Sequence, residues 1–224
     1  MRLFIAFEKS FALRFIGHLD LLRVMQRALR RAGLPVAYSQ GFNPHMLIAF
    51  ASPLAVGHSG REELIDVTLS KPLSEPECAA CLDALRAAMP PGLPVVRCRA
   101  VSDDHPKLMA MLRTASYMIR LDNDAGLTDN VQAFLACESI PAVRVSKSGH
   151  SDVDIRPMLH ELRWIDLAEA LYTRVSFTER ETLKPDLLIQ SLAEFSGAPL
   201  PRTLIERVHM YGEAAGEPVP LIEC

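Results

Sequence analysis

With 224 residues, 49% of them apolar, the chain has enough core-forming material for one large domain or two small ones. A formal net charge of −3 at pH 7 excludes a global basic field, so any nucleic-acid partner would have to be held by a local patch. The N-terminal run MRLFIAFEKSFALRFIGHLD lacks the unbroken apolar core of a signal peptide, no segment reaches the ~18 apolar residues of a membrane span, and the odd number of cysteines, five, argues against a disulfide framework. A cytoplasmic protein with no membrane partner is expected.

In chain order, residues 2–9 and 12–16 read as two limbs of strand, followed by a helix over 18–35 that Gly33 and Pro35 bring to a stop. Short strands are predicted at 35–38, 46–50 and 63–70. A second helix over 74–90 opens with the capping box Ser74 and Glu77, and a strand at 93–102 closes this half. The order β-α-β-β-α-β is the ferredoxin-like pattern. A turn-rich stretch follows, and the cycle restarts: strand 116–122, helix 127–137, strands 142–148, 152–159, 162–167 and 170–177, helix 184–197, strand 203–211. The expected architecture is α+β, two tandem ferredoxin-like (βαββαβ-type) domains, the second less regular. Its spans are 1–104, 105–212 and a loosely ordered tail, 213–224.

Three polar groups call for explanation. On the first helix Leu22, Met25, Leu29 and Ala32 gather on one side and Arg23, Arg27, Arg30 and Arg31 on the other, with no acidic residue between the four. A solvated face accounts for this, and so does a phosphate contact, for which the planar guanidinium fork is suited. At the start of the same helix Asp20 suits the free N–H groups of the first turn, while His18 beside it could carry a proton. The loop 38–47 then concentrates Tyr38, Ser39, Gln40, Asn43 and His45, with Gly41 permitting close approach to the backbone and Phe42 as an aromatic anchor. It reads either as a recognition loop or as a self-satisfied one, with an Asx-turn at Asn43 and Gln40 tying back the chain. Placed at the end where the helix begins, it would gather His18, Asp20, Tyr38, Ser39, Asn43 and His45, with Arg14 and Glu63 beside them.

Elsewhere the signals are plainer. Alternation along residues 62–66 turns Glu62 to solvent and is silent on Glu63. Cys78 and Cys81 have redox or zinc spacing, but within a helix and without a second pair they read as packing; Cys98 and Cys137 read as inert and Cys224 as exposed. No Gly-rich phosphate loop, nucleophile elbow or HExxH motif occurs, and no metal site is expected.

RFIGHLDLLRVMQRALRRAGLPVAYSQGFNPHMLIAF, followed by PLAVGHSGREELIDVTL, resembles the radical SAM-linked (radical SAM-associated) protein family, the domain of unknown function numbered 2344. The matching positions are Arg14, Phe15, His18, Leu19 and Asp20; Ala28, Arg30, Arg31, Ala32, Leu34 and Pro35; Tyr38, Ser39, Gly41 to His45; Pro53, Leu54, Gly57 and Glu63. A weaker likeness continues through Asp154, Arg156, Pro157, Lys184 and Pro185. Gly17 stands where the family has Ser, and Met46-Leu47 where it has Pro-Lys, which removes a cation from the loop. The resemblance implies association with a radical SAM enzyme. The chain has no CxxxCxxC cluster motif, so it resembles the companion of that enzyme, to which SAM and an iron–sulfur cluster would belong, with no cofactor bound directly by this chain.

The leading expectation is therefore a non-catalytic accessory protein that binds RNA or a ribonucleoprotein, or docks on the enzyme, through the loop and the arginine face. One alternative is an RNA-cleaving or RNA-modifying enzyme that uses His18 and His45 with Asp20 or Glu63 as orienting carboxylate. Another is an assembly factor with Phe42 exposed at the centre of a protein-docking patch.

Overall fold

In the computed structural model of the chain, residues 1–124, 126–146, 149–178 and 180–224 are described. Helices and strands mix along the whole chain: β1 (Arg2–Lys9), α1 (His18–Arg31), β2 (Ile48–Phe50), β3 (Ser59–Thr68), α2 (Glu75–Ala88), β4 (Val95–Val101), α3 (Leu108–Met111), β5 (Thr114–Leu121), α4 (Val131–Leu135), β6 (Pro141–Ser146), β7 (Gly149–Asp154), β8 (Leu159–Ile165), β9 (Ala170–Ser176), α5 (Pro185–Ser196), β10 (Thr203–Ala214) and β11 (Glu217–Pro220). The chain divides into two compact units, Met1–Leu112 with His209–Cys224, and Arg113–Val208. The expected division at 104 thus falls at 112, and the C-terminal segment returns to the first unit.

In the first unit β1 lies between β4 and β3, and β2 pairs with β3; all three pairings are antiparallel. β1 is covered on both faces, by α1 and α2 over Leu3, Ile5 and Phe7 and on the other side at Phe4, which meets the His105 ring edge to face, and this is why residues 3–7 form an unbroken apolar run. Leu3, Ile5 and Phe7 pack with Leu21, Met25, Ala28 and Leu29 of α1 and Leu85 of α2 in one core. α1 stops because Gly33 adopts φ +69, just past the C-cap Ala32, a conformation that a Cβ disfavours. α2 opens as expected, the Glu77 carboxylate accepting from the Ser74 backbone N–H at 2.9 Å.

The sheet also carries charge inside. Arg2, 1% exposed, donates from Nε and Nη2 to the two carboxylate oxygens of Asp66, at 3.0 and 2.5 Å, and its remaining N–H groups reach the carbonyls of His105 and Pro106. Glu62 is buried rather than solvent-facing: its carboxylate accepts from Arg97 of β4 and contacts His209 Nδ1 at 2.7 Å. Alternation fails there because these two partners make burial tolerable. Burial pushes the Glu62 carboxyl up, but the hydrogen bonds from His209 and Arg97 outweigh it and hold the group below the usual carboxylate range.

Two further expectations change. Residues 12–16 form no strand; Phe11–Leu13 is a 3-10 turn, and the Lys9 ammonium, 1% exposed, donates to the carbonyls of Arg14 and Ile16 and holds the bend. The tail is ordered: β10 pairs with β11, Leu221 and Ile222 are buried, and Cys224 is half-buried over Gly212.

In the second unit the strand order is β10-β5-β9-β8, with β5–β9 and β9–β8 antiparallel, and β6 and β7 form a separate hairpin. Of the strand expected over 142–148, Lys147 and Ser148 lie outside the described residues. The expected helix over 127–137 begins as a 3-10 turn and becomes α4 only at Val131. α5 buries Leu188, Ile189 and Leu192, and Phe134 of α4 meets Phe195 edge to face, centroids 5.4 Å apart.

Breaking one side of the buried Arg2–Asp66 pair leaves an uncompensated charge, so Arg2→Met should lose about 3–5 kcal/mol in urea unfolding, and Arg2→Met with Asp66→Leu should recover most of it. Because the Glu62 pKa is depressed by folding, its stabilisation is present above the unfolded value of about 4.3 and is lost as pH falls through the folded one. Unfolding free energy measured from pH 6 down to pH 3 should therefore fall more steeply for the wild type than for Glu62→Gln.

Candidate functional site

The positions singled out in the sequence separate into two clusters at opposite ends of α1. At its C-terminal end, Arg30 Nε donates to Tyr38 Oη at 3.4 Å, which sets the loop 38–46 beside the last turn of the helix. Tyr38 and Met46 form an antiparallel bridge at the loop's base, closed above by Ser39 N–H to the His45 carbonyl at 2.9 Å. The Ser39 hydroxyl oxygen accepts from the His45 backbone N–H at 3.1 Å and lies 2.8 Å from His45 Nδ1. The base is therefore stitched by three hydrogen bonds. Gly41, at φ +128, makes the turn that an L side chain would strain.

Above that base the loop is open to solvent. Phe42 has a relative exposure of 106%, as much as the free residue, and Gln40, Asn43, Pro44 and His45 are exposed. Among the described residues neither Gln40 nor Asn43 has a side-chain hydrogen-bond partner, so the Asx-turn and tie-back that would make the loop self-satisfied do not form. A fully exposed aromatic on a stitched base is presented to solvent rather than buried, which makes the loop the candidate contact surface.

The arginine face is smaller than the helical wheel implies. Arg23 pairs with Asp20 one turn earlier, at 2.8 Å, so an acidic residue does lie on that face. Arg31 donates to the Ala88 carbonyl at 2.5 Å, capping the end of α2. Arg27 is exposed with no partner among the described residues, and Arg30, exposed three residues on, touches the loop through Tyr38.

At the N-terminal end of α1 the His18 ring stands edge to face with Phe50, centroids 4.9 Å apart, and Arg14 lies over Phe11 and Phe15 at 3.8 and 4.4 Å. The Gly57 N–H donates to the Arg14 carbonyl at 2.8 Å, and Glu63, 2% exposed, sits against Gly60, where a Cβ would meet its Oε1 at 2.5 Å. The sequence signals missed here were Lys9 closing an apolar strand and the spacing F-x-x-R-F, which stacks one guanidinium on two rings.

The expected union of His18 and His45 does not form. The run from His45 to Phe50 carries His45 away from the His18–Phe50 contact by up to about 16 Å, at ~3.3 Å for each extended residue. The same gap follows from the helix, since twelve residues from His18 to Arg30 rise about 18 Å. Two groups so separated cannot serve one substrate atom, so acid–base catalysis by this pair has no geometry. The physical reason is that the chain re-enters the sheet at the helix's C-terminus, and the loop interrupts that return before β2 begins.

The cysteines sit as packing. Cys78, Cys81 and Cys98 line the core of the first unit, and burial first, then neighbouring thiols, push Cys78 and Cys98 up, which keeps them protonated and unreactive. No group of three or more His, Cys, Asp or Glu side chains among the described residues is placed to hold a metal ion. Among the described residues no helix is long and apolar enough to cross a membrane.

The described residues thus form a mixed α/β protein whose loop 38–46 is stitched at its base and open to solvent above it. Residues 2–185 match the family model described as an uncharacterised protein conserved in bacteria, the domain of unknown function 2344, and the chain belongs to that family. No curated protein matches it.

The two ends should respond differently to substitution. Asn43→Ala should change the unfolding free energy by no more than ~0.5 kcal/mol. Lys9→Met, which strips the Arg14 and Ile16 carbonyls of a buried donor, should cost about 1–3 kcal/mol in the same urea titration.

Proposed function

We propose that the chain is a non-catalytic accessory protein that binds RNA, alone or in a ribonucleoprotein, for a companion radical SAM enzyme. The observation that carries this reading is the pairing of a fully exposed Phe42 and a 41% exposed Tyr38 with Arg30 and the unpartnered Arg27. Rings stack on unpaired bases while guanidinium groups take phosphate oxygens, and this combination is how single strands are gripped without a large basic surface. The radical SAM partner rests on the family resemblance alone; SAM and the cluster belong to that enzyme in this reading. A cytoplasmic location accords with five free cysteines.

The fold reading that goes with it is two ferredoxin-like modules. It is supported by the order β4-β1-β3-β2 in the first unit and β10-β5-β9-β8 in the second, each the order of two interleaved βαβ units, with the β6–β7 hairpin inserted in the latter.

A second reading, a protein-docking factor, is favoured by Phe11, Phe15 and Leu19, exposed 48%, 67% and 64% around the stacked Arg14 at the other end of α1. The two readings separate cleanly in a filter-binding titration of single-stranded RNA across a salt series. The RNA reading expects a negative log–log slope of roughly 0.7 per phosphate contacted, reduced in magnitude by about 1.4 on Arg27→Ala with Arg30→Ala. It expects Phe42→Ala to weaken binding by ~1–3 kcal/mol. A flat slope, with binding indifferent to Phe42, removes it and leaves the docking reading.

A further inference from the structure

Beside the loop, a recess of about 220 Å³ opens in the first unit. Leu47 and Ala49 give it an apolar wall, and His45, Thr68 and Lys107 line it with polar groups. Asp66 also borders it, but its carboxylate is occupied by the Arg2 guanidinium, so the recess is not a site for a cation. The volume is below the ~300–1,000 Å³ of sites for drug-sized ligands and fits a single flat group.

The polar groups are donors. Lys107 is exposed and has no partner among the described residues. His45 is oriented by Ser39: because the Ser39 oxygen already accepts the His45 backbone N–H, its own proton is free to go to Nδ1. In the tautomer in which the Ser39 hydroxyl donates to Nδ1, the ring hydrogen sits on Nε2 and gives a second donor at the recess. An apolar wall and two donors, one cationic, describe a ligand with a flat, weakly polar body and an anionic group attached.

We infer that this recess takes one unpaired nucleotide, its base against Leu47 and Ala49 and its phosphate at Lys107 and His45. The inference rests on the RNA reading for its biological source, since the recess adjoins the loop that carries Phe42, but the chemistry is the same for a free mononucleotide and for a nucleotide within a single strand. It also assigns His45 a role that does not depend on His18.

The test titrates the full chain with 5′-AMP, 5′-UMP, adenosine and a single-stranded heptaribonucleotide by calorimetry, for the wild type, Ala49→Leu, Lys107→Gln and Phe42→Ala. Ala49→Leu fills the recess at an exposed strand position across from Asp66 without altering any charged residue, and circular dichroism melting verifies that each variant is folded. The recess is supported if Ala49→Leu weakens a nucleotide or the oligonucleotide at least 10-fold and Lys107→Gln weakens the phosphate-bearing ligands while leaving adenosine as it was. Mononucleotide binding marks free nucleotide as a source; oligonucleotide binding alone marks the strand. The inference is overturned if no probe binds the wild type, or if both recess variants bind as the wild type does. Oligonucleotide binding lost in Phe42→Ala but kept in both recess variants removes the recess and keeps the RNA reading. Mononucleotide binding lost in Ala49→Leu with no oligonucleotide binding at all keeps the recess and removes that reading.

Discussion

β3 is paired on both edges, with β1 along one and β2 along the other, and the rest of the first unit follows from that constraint. An antiparallel strand between two others fixes where each neighbour must start. β1 ends at the Lys9 end of the sheet, so α1 begins there; the chain must then travel the length of the helix before it can re-enter beside β3. Everything between Gly33 and Ile48 is consequently held at the far end, and the polar loop is far from the helix start whatever its own sequence prefers. The hydrogen bonds of residues 36–38, 46–47 and 68–69 continue this pairing to the loop's base. The loop is thus an extension of the sheet, with little freedom to fold back over α1.

The unit's buried charges serve that same arrangement. Arg2 and Asp66 lie on neighbouring strands, and Arg2 also gathers the carbonyls of residues 105 and 106, which pins the segment after β4 across the sheet. Lys9 does the corresponding work at the other end for the bend before α1. Glu62 links β4 and the start of the C-terminal segment through Arg97 and His209. Each such group is costly to bury and tolerable only because its partners are complete, so the residues with the strongest ionic character turn out to be structural. By contrast Phe42, Gln40, Asn43, Arg27 and Lys107 are exposed and have no side-chain hydrogen-bond or ion-pair partner among the described residues.

This division explains why functional and structural polar residues look alike in a sequence. Arg27 and Arg31 are four residues apart on one helix and share composition and context, yet Arg31 is spent on the end of α2 and Arg27 is not. Asn43 and Ser39 are both small polar residues in one loop, but Ser39 stitches the base and Asn43 is presented to solvent. Only the count of partners separates them.

By itself the sequence determined the regular elements whose signals are local: β1, whose apolar run is dictated by double burial; α1, with its periodicity and the Gly33 stop; α2, through Ser74 and Glu77; and α5, opened by Pro185. It also determined that the loop 38–47 carries more hydrogen-bonding groups than a turn needs. The tertiary structure alone decided that the Ala12–Ile16 stretch bends instead of extending, because the Lys9 ammonium needs the carbonyls of Arg14 and Ile16 as buried acceptors. It decided that the tail is ordered, because Leu221 and Ile222 find a core that no local pattern reveals. It decided that Glu62 faces inward and that His18 and His45 stand apart, since both depend on which strand lies beside which. Periodicity reports the face a residue takes within its own element; which element comes to meet that face is set by pairings between residues as distant in the chain as Glu62 and His209.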